Sequence, residues 1–269
     1  MANYCVAVAK RAWNIAHKWG LLSTNPWTTV TLRKPPSRDV VWTETQIETF
    51  FEASKGNRVW RTVGMIFMTA YETSQRLGDT RLLTTAHYRD NGFAIVQSKT
   101  SQFVWVPISD RLRKELELLK AEQDEDTDAL VTAVHTRMRK EGYSSTKIEA
   151  DVDKLVQSLN PEQLLFYHPD SGRAYTADLL SKTAARIREA AGLPAHLQIR
   201  DARRTAITEM IDRECTPHEV MSIGGHKNVA SLAPYARVHG RSNSPVAVSA
   251  MSKRWSRRVK SESDNDGDV

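Results

Sequence analysis

A chain of 269 residues is long enough to bury a real core and suggests one large domain or two smaller ones. Its 40% hydrophobic and 26% charged residues are those of an ordinary globular protein, while a formal net charge of +6 gives mild support to a polyanionic partner such as nucleic acid. Two cysteines, Cys5 and Cys215, exclude a disulfide framework or a four-thiolate zinc site and fit a reducing compartment. No apolar run nears the roughly 20 residues of a bilayer span, and Lys10, Arg11, His17 and Lys18 interrupt any signal-peptide core.

In chain order, Ala2 to Leu22 reads as one amphipathic helix, with Val6, Trp13, Ile15 and Trp19 as apolar contacts and Gly20 at its C-terminal end. Such a helix cannot bury its apolar face alone, so it is expected to close a domain whose earlier part is missing. Arg33 to Arg38, rich in proline and basic residues, reads as a stiff linker that either tracks a phosphate backbone or is simply solvated. Thr43 and Gln46 make a capping-box pattern opening a helix through Phe51. A helix over Trp60 to Thr73 is apolar on most sides and belongs at the centre of the fold. Phe93 to Val96 and Phe103 to Val106 are β-branched and aromatic runs flanking a hairpin turn at Gln97 to Gln102. Arg111 to Gln123 reads as helix, and Glu122 to Asp128 as an acidic solvated loop or insertion tip. Leu130 to Leu159 is helical, highly charged and without an assignable job. Helices follow over Ala177 to Ala191, Arg203 to Arg213 and Pro217 to Ile223, and Ser261 to Val269 has the composition of a disordered tail. The fold class expected is mainly α with a small antiparallel β-sheet.

Three elements carry chemistry. Gln75-Arg76-Leu77-Gly78-Asp79 lies far upstream, Arg200-Asp201-Ala202-Arg203-Arg204-Thr205 lies downstream, and Gly225-His226 follows, with His226 nine positions before Tyr235. Breaking a DNA phosphodiester without metal needs a nucleophile, a proton donor for the leaving 5′ oxygen, and cations against the crowded phosphorane oxygens. A guanidinium suits the last task because its planar fork holds two phosphate oxygens and stays charged. A tyrosine nucleophile stores the bond energy in a phosphotyrosine, so another strand can be joined without ATP. The motifs of rival chemistries (Gly-x-x-x-x-Gly-Lys-Ser/Thr, His-Glu-x-x-His, Gly-x-Ser-x-Gly) are absent, and the acidic residues fall in no obvious two-metal pattern. Singly, each residue has a plainer reading: Arg76 as a helix cap or ion-pair residue, Lys99 as a solvated turn lysine, Gly225-His226 as a turn, Tyr235 as a packing residue. The ordered set is the specific signal.

From about Trp42 to Met251 the chain resembles the catalytic domain of a tyrosine recombinase, most like a phage or prophage integrase. Thr73 to Asp79 resembles the first family box, which implies that Arg76 clamps the scissile phosphate and Asp79 orients the cationic site. Gln97-Ser98-Lys99-Thr100 resembles the hairpin whose lysine protonates the leaving oxygen, making Lys99 the general acid. The second box supplies Arg203 as the second clamp. Ile223 to His226 resembles the third box, where His226 donates to the phosphate, and Tyr235 stands at the family's spacing for the nucleophile. The resemblance implies a core-binding helix remnant at 1–32, a linker at 33–41, and a catalytic domain at 42–253 carrying a charged insertion at about 121–160. A basic then acidic tail occupies 254–269. It also implies double-stranded DNA with attachment-type sites as partner, a monomer that becomes a homotetramer on DNA, no metal or nucleotide cofactor, no membrane, and the cytoplasm of a bacterial host.

One position departs from the family pattern. The second box normally begins with histidine, and here that position is Arg200, which cannot act as a base at any relevant pH. Proton removal from Tyr235 must then use water, a phosphate oxygen or His226, and Arg200 is expected to add a third cation at the phosphate, easing loss of the phenol proton. His196 is a weaker substitute, because Pro194 argues against a continuous helix placing it on the right face, and Pro234 beside Tyr235 suggests a bend. The departure also feeds a rival reading, a DNA-binding remnant that no longer cuts. A relaxing activity of the type IB topoisomerase kind is a nearer variant with the same chemistry. Pro245 to Met251 resembles a segment that family members pass to a neighbouring protomer, or it packs on its own domain. Lys253, Arg254, Arg257, Arg258 and Lys260 form a basic patch that touches DNA or keeps the tail soluble.

Overall fold

The computed structural model describes residues 2–32, 38–160 and 162–236. The expectations for most of the proline-rich linker and for everything beyond Ala236 lie outside the described residues. The chain divides into two compact units, Met1–Asp39 and Val40–Val269.

In the first unit, α1 (Ala2–Lys18) stops before the expected end at Leu22. Gly20 takes the left-handed conformation at φ +71, its N–H bonds the His17 carbonyl, and the Leu21 N–H bonds that of Ala16. Trp13 meets Trp27 edge to face at 6.2 Å, and the Asn25 side chain donates to Asn14 Oδ1 at 2.7 Å. Tyr4, Val8, Ile15 and Trp19 recur at helical spacing and remain exposed, so this unit does not cover its own apolar stripe.

The second unit is anchored at its start by Trp42. Its indole donates to the Gln198 carbonyl and its backbone N–H to Thr205 Oγ1, each at 3.1 Å, while its ring packs on Phe50 and Phe67. α2 (Glu44–Ser54) opens on the expected capping box between Thr43 and Gln46. α3 (Arg58–Glu72), capped by Asn57, is buried at every residue from Arg61 to Ala70. It approaches α2 so closely that a Cβ on Gly64 would lie 1.9 Å from Ser54 Oγ. After the single turn of α4 (Leu77–Thr80), strands β1 (Tyr88–Arg89), β2 (Gly92–Val96) and β3 (Phe103–Pro107) form an antiparallel sheet in that order, with Val96 opposite Phe103. Phe93, Ile95, Val104 and Val106 face the core while Val96, Phe103 and Trp105 are exposed, the alternation a pleated strand imposes.

α5 (Asp110–Lys140) overturns the expected acidic loop, because the helix runs unbroken through Glu122 to Asp128. Glu115, Glu122 and Asp126, spaced by seven and four, share one helical face. Arg58 reaches Glu122 and Asp126 at 3.1 Å each, and Arg61 reaches Glu115 at 2.6 Å. The acidic run is thus a helix face whose counter-charges stand on α3. Gly142, at φ +83, turns the chain into α6 (Ser145–Leu159), which packs on α5 and buries Ile148 and Val152. The unit continues with α7 (Ala177–Ala190), α8 (Ala202–Asp212), α9 (Pro217–Gly224) and α10 (Ala233–Ala236). α3 packs against α2, α5, α7 and α8, while Ile207, Val220 and Leu232 build a smaller core joining α8, α9 and the segment leading into α10. The architecture is mainly helical with one small antiparallel sheet, and among the described residues no helix is long and apolar enough to cross a membrane.

Candidate active site

At the end of α3 the helix cannot simply continue, because Ser74 adopts φ +55, an uncommon conformation for a residue with a Cβ. The Ser74 carbonyl accepts a hydrogen bond from Arg203 Nη1 at 2.9 Å. Two residues later Arg76 stands at the N-cap of α4. Its Nη1 donates to Gln97 Oε1 at 2.9 Å and lies 3.9 Å from Asp79 Oδ2. Asp79 is buried, and its Oδ1 accepts the Ser98 N–H at 3.1 Å, so one carboxylate braces both the arginine and the hairpin turn.

Arg203 lies in the first turn of α8 and is only 8% exposed. Its Nη2 donates to the Gly224 carbonyl at 2.7 Å and lies 3.1 Å from His226 Nε2. α9 ends there because Gly225 takes φ +64, the left-handed cap that suits glycine. Burial first, then the charge of Arg76, lowers the proton affinity of Arg203, against opposing contributions from Tyr235 and Asp79. Burial again, followed by Arg203 and Arg76, pushes the His226 pKa down to about 4, so the imidazole is neutral at pH 7. An arginine has no acceptor, so Nε2 must accept from it and the ring hydrogen sits on Nδ1. That nitrogen is buried and has no hydrogen-bond partner among the described residues. The cluster therefore gathers two guanidinium groups around a neutral imidazole whose N–H points into the protein.

Tyr235, on α10, is partly buried against the Ile207, Val220 and Leu232 core. Its ring meets that of His226 edge to face at 5.8 Å, and Arg204 Cζ stands 5.1 Å over it. Arg204 Nη1 also donates to the Pro234 carbonyl at 3.2 Å, tying α8 to the helix that carries the tyrosine. Pro234 lies in the first turn of α10, where a missing N–H is tolerated; it starts this helix rather than bending one.

Arg76, Asp79, Arg203, His226 and Tyr235 are thus brought together, and Lys99 and Arg200 are not part of their network. Both are exposed, and neither has a hydrogen bond or ion pair among the described residues. Arg200 lies on the short helical turn Ile199–Asp201 and lines a cavity with Trp42, Phe50 and Arg188, while His196 is exposed in the preceding turn. Sequence reasoning missed Gln75, Gln97 and Arg204. For Gln97 a signal existed, since the alternation of β2 puts position 97 on the same inward face as Phe93 and Ile95. Among the described residues no group of three or more His, Cys, Asp or Glu side chains could hold a metal.

Residues 41–241 match the phage integrase family. The fold is shared with a lambda integrase dimer bound to a COC′ core site, at 15% identity and a TM-score of 0.61, over 90% of this chain and 75% of that one. A Tn1549 transposon integrase in complex with transposon right end DNA matches at 14% identity and a TM-score of 0.56, over 92% and 84% of the two chains. XerA recombinase matches at 14% identity and a TM-score of 0.51, over 82% and 66%. The chain spans 61% of a longer lambda integrase chain, and no curated protein sequence matches it. The fold class is that of the tyrosine-recombinase catalytic domain. The chain belongs to the phage integrase family, whose members are site-specific DNA recombinases.

Proposed function

We propose that this chain cuts and rejoins double-stranded DNA at attachment-type sites through a 3′-phosphotyrosine on Tyr235, without metal or ATP. The observation that carries the reading is the convergence of Arg76, Arg203, His226 and Tyr235 from well-separated stretches of sequence. The two guanidinium groups hold the non-bridging oxygens of the scissile phosphate, where negative charge grows in the transition state. Asp79 keeps Arg76 in orientation, His226 adds a hydrogen bond to the phosphate, and Arg200 contributes a third cation from the surface. Tyr235 Oη forms its bond to phosphorus as the bond to the 5′ oxygen breaks, and Lys99, carried on the exposed hairpin turn, gives that oxygen its proton. The phenol proton leaves to water or a phosphate oxygen, because the His226 nitrogen able to accept it faces Arg203. Attack by the 5′-hydroxyl of another strand reverses the steps and frees the enzyme.

In this reading residues 1–32 close a core-binding domain, 33–41 link it on, and 42–253 form the catalytic domain with a charged excursion at about 121–160. The protein, monomeric in solution, assembles as a homotetramer on DNA in the cytoplasm of a bacterial host, serving a phage or prophage. A lambda integrase tetramer bound to a Holliday junction, which shares this fold at 16% identity, supports such an assembly. Supercoiled plasmid incubated with the protein at low salt in EDTA and quenched with detergent should yield protein–DNA adducts that vanish in Tyr235→Phe. DNA binding without any adduct would instead favour a remnant that no longer cuts, the reading that Arg200 in place of the second-box histidine encourages.

A further inference from the structure

We propose that Gln97 is a positioning residue, whose fully buried amide sets the Arg76 guanidinium against the end of α9. The inference rests on the cleavage reading above. Gln97 sits just past β2 with no exposed surface, and its side chain makes four hydrogen bonds. Oε1 accepts from Arg76 Nη1 at 2.9 Å and from Thr100 Oγ1 at 2.8 Å. Nε2 donates to Gln75 Oε1 at 2.7 Å and to the Gly224 carbonyl at 2.9 Å. This polarity is fixed by chemistry, since an arginine can only donate and a carbonyl can only accept. Gln75, equally buried, extends the link: its Nε2 donates to the carbonyls of Thr73 at 2.9 Å and Ile223 at 2.8 Å.

Two amides therefore join the end of α3, the start of α4, the hairpin turn and the end of α9. The same Gly224 carbonyl accepts from Arg203, so both guanidinium groups are referenced to one backbone oxygen, Arg76 through the single amide of Gln97. The fit is tight, because a Cβ on Gly225 would stand 2.5 to 2.7 Å from three atoms of the Gln97 amide. Asp79 is the other brace on Arg76, but at 3.9 Å it fixes direction less firmly than the 2.9 Å bond to Gln97. A group held by a satisfied buried network costs no reorganisation when charge develops beside it.

Gln97→Met keeps the length of the side chain and removes every polar bond. Its single-turnover rate of covalent adduct formation should fall by about 10²-fold, the usual cost of a misplacement near 1 Å, while half-saturation with DNA shifts by less than about threefold. In an Arg76→Lys background, which lacks the planar fork, adding Gln97→Met should cost less than about threefold more, because the residue it positions is already gone. Should Gln97→Met fail to give a cooperative thermal transition, Gln97→Asn, an amide too short to reach both sides, is read in the same way. An absent wild-type adduct would overturn the cleavage reading itself. A wild-type adduct together with variants cleaving within about threefold of it, or with equal losses in both backgrounds, would overturn the role of Gln97.

Discussion

Arg203 Nη2 reaches the Gly224 carbonyl at 2.7 Å and His226 Nε2 at 3.1 Å, so a single guanidinium end both holds the last turn of α9 and fixes which nitrogen of the imidazole carries its hydrogen. Arg76 stands close enough to lower the proton affinity of both residues. The cluster is a concentration of positive charge restrained by one buried carboxylate, Asp79, and it keeps its histidine neutral rather than adding a further cation.

The neutral histidine has a consequence for stability. His226 titrates at about 4 in the fold against 6.5 ordinarily, so between those values the unfolded chain binds the proton more readily. Stability should therefore be complete above pH 6.5 and fall as pH drops toward 4. His226→Asn should lose less melting temperature than the wild type across this window. Parallel curves for the two proteins would mean that Arg203 and burial do not hold the ring neutral.

Gly225 answers to two separate constraints, and they can be told apart. Its φ of +64 penalises any Cβ, and here that Cβ would also stand 2.5 Å from the Gln97 amide. Gly192 has a similar φ of +66 with nothing within 4 Å. Gly192→Ala should thus report backbone strain alone, about 1 kcal/mol, and Gly225→Ala roughly 2 to 3 kcal/mol in urea unfolding. Equal losses would show that the end of α9 yields freely to the intruding methyl.

Much of this fold was legible because its signals are local. The Thr43–Gln46 capping box, the uninterrupted apolar character around Val63 to Met68 and the alternation through Phe93 to Val106 each dictate an element from a handful of neighbouring residues. The order of Arg76, Arg203, His226 and Tyr235 was legible for the same reason, since each sits in a short motif. What was hidden depends on distant partners. The acidic run of α5 resembled a loop because Arg58 and Arg61, which neutralise it, lie on another helix. Gln97 could be placed inward by parity, but its partners lie as many as 127 positions away from it. The exposure of Lys99 and Arg200 likewise follows from the tertiary path of the chain and from no feature of their motifs.

The ion pairs of Arg58 with α5 should contribute little despite their number. Arg58 is 40% exposed and its three carboxylate partners range from 32% to 78%, so water and salt screen them. Arg58→Ala should cost about 1 kcal/mol or less at low ionic strength and less still at 1 M salt. A salt-independent loss of more than about 3 kcal/mol would mean that α5 depends on this residue through packing of its aliphatic stem.

Arg200 separates folding from function most cleanly. It is exposed and has no hydrogen bond or ion pair among the described residues, so removing it should change stability by less than about 0.5 kcal/mol. As a third cation at the phosphate it should nevertheless matter on DNA: Arg200→Ala should weaken binding and flatten its dependence on salt, because one fewer phosphate contact releases fewer counterions. Arg200→His restores the residue type usual at this position of the second box and supplies a side chain that can take the phenol proton, so adduct formation should be unchanged or faster. Single-turnover cleavage of one plasmid substrate by the three proteins, beside their melting curves, makes the comparison. A near-total loss in Arg200→His with an unaltered melting curve would show that the arginine serves a purpose unconnected with the phosphate, and that this chain deprotonates Tyr235 by a route in which a histidine at position 200 has no share.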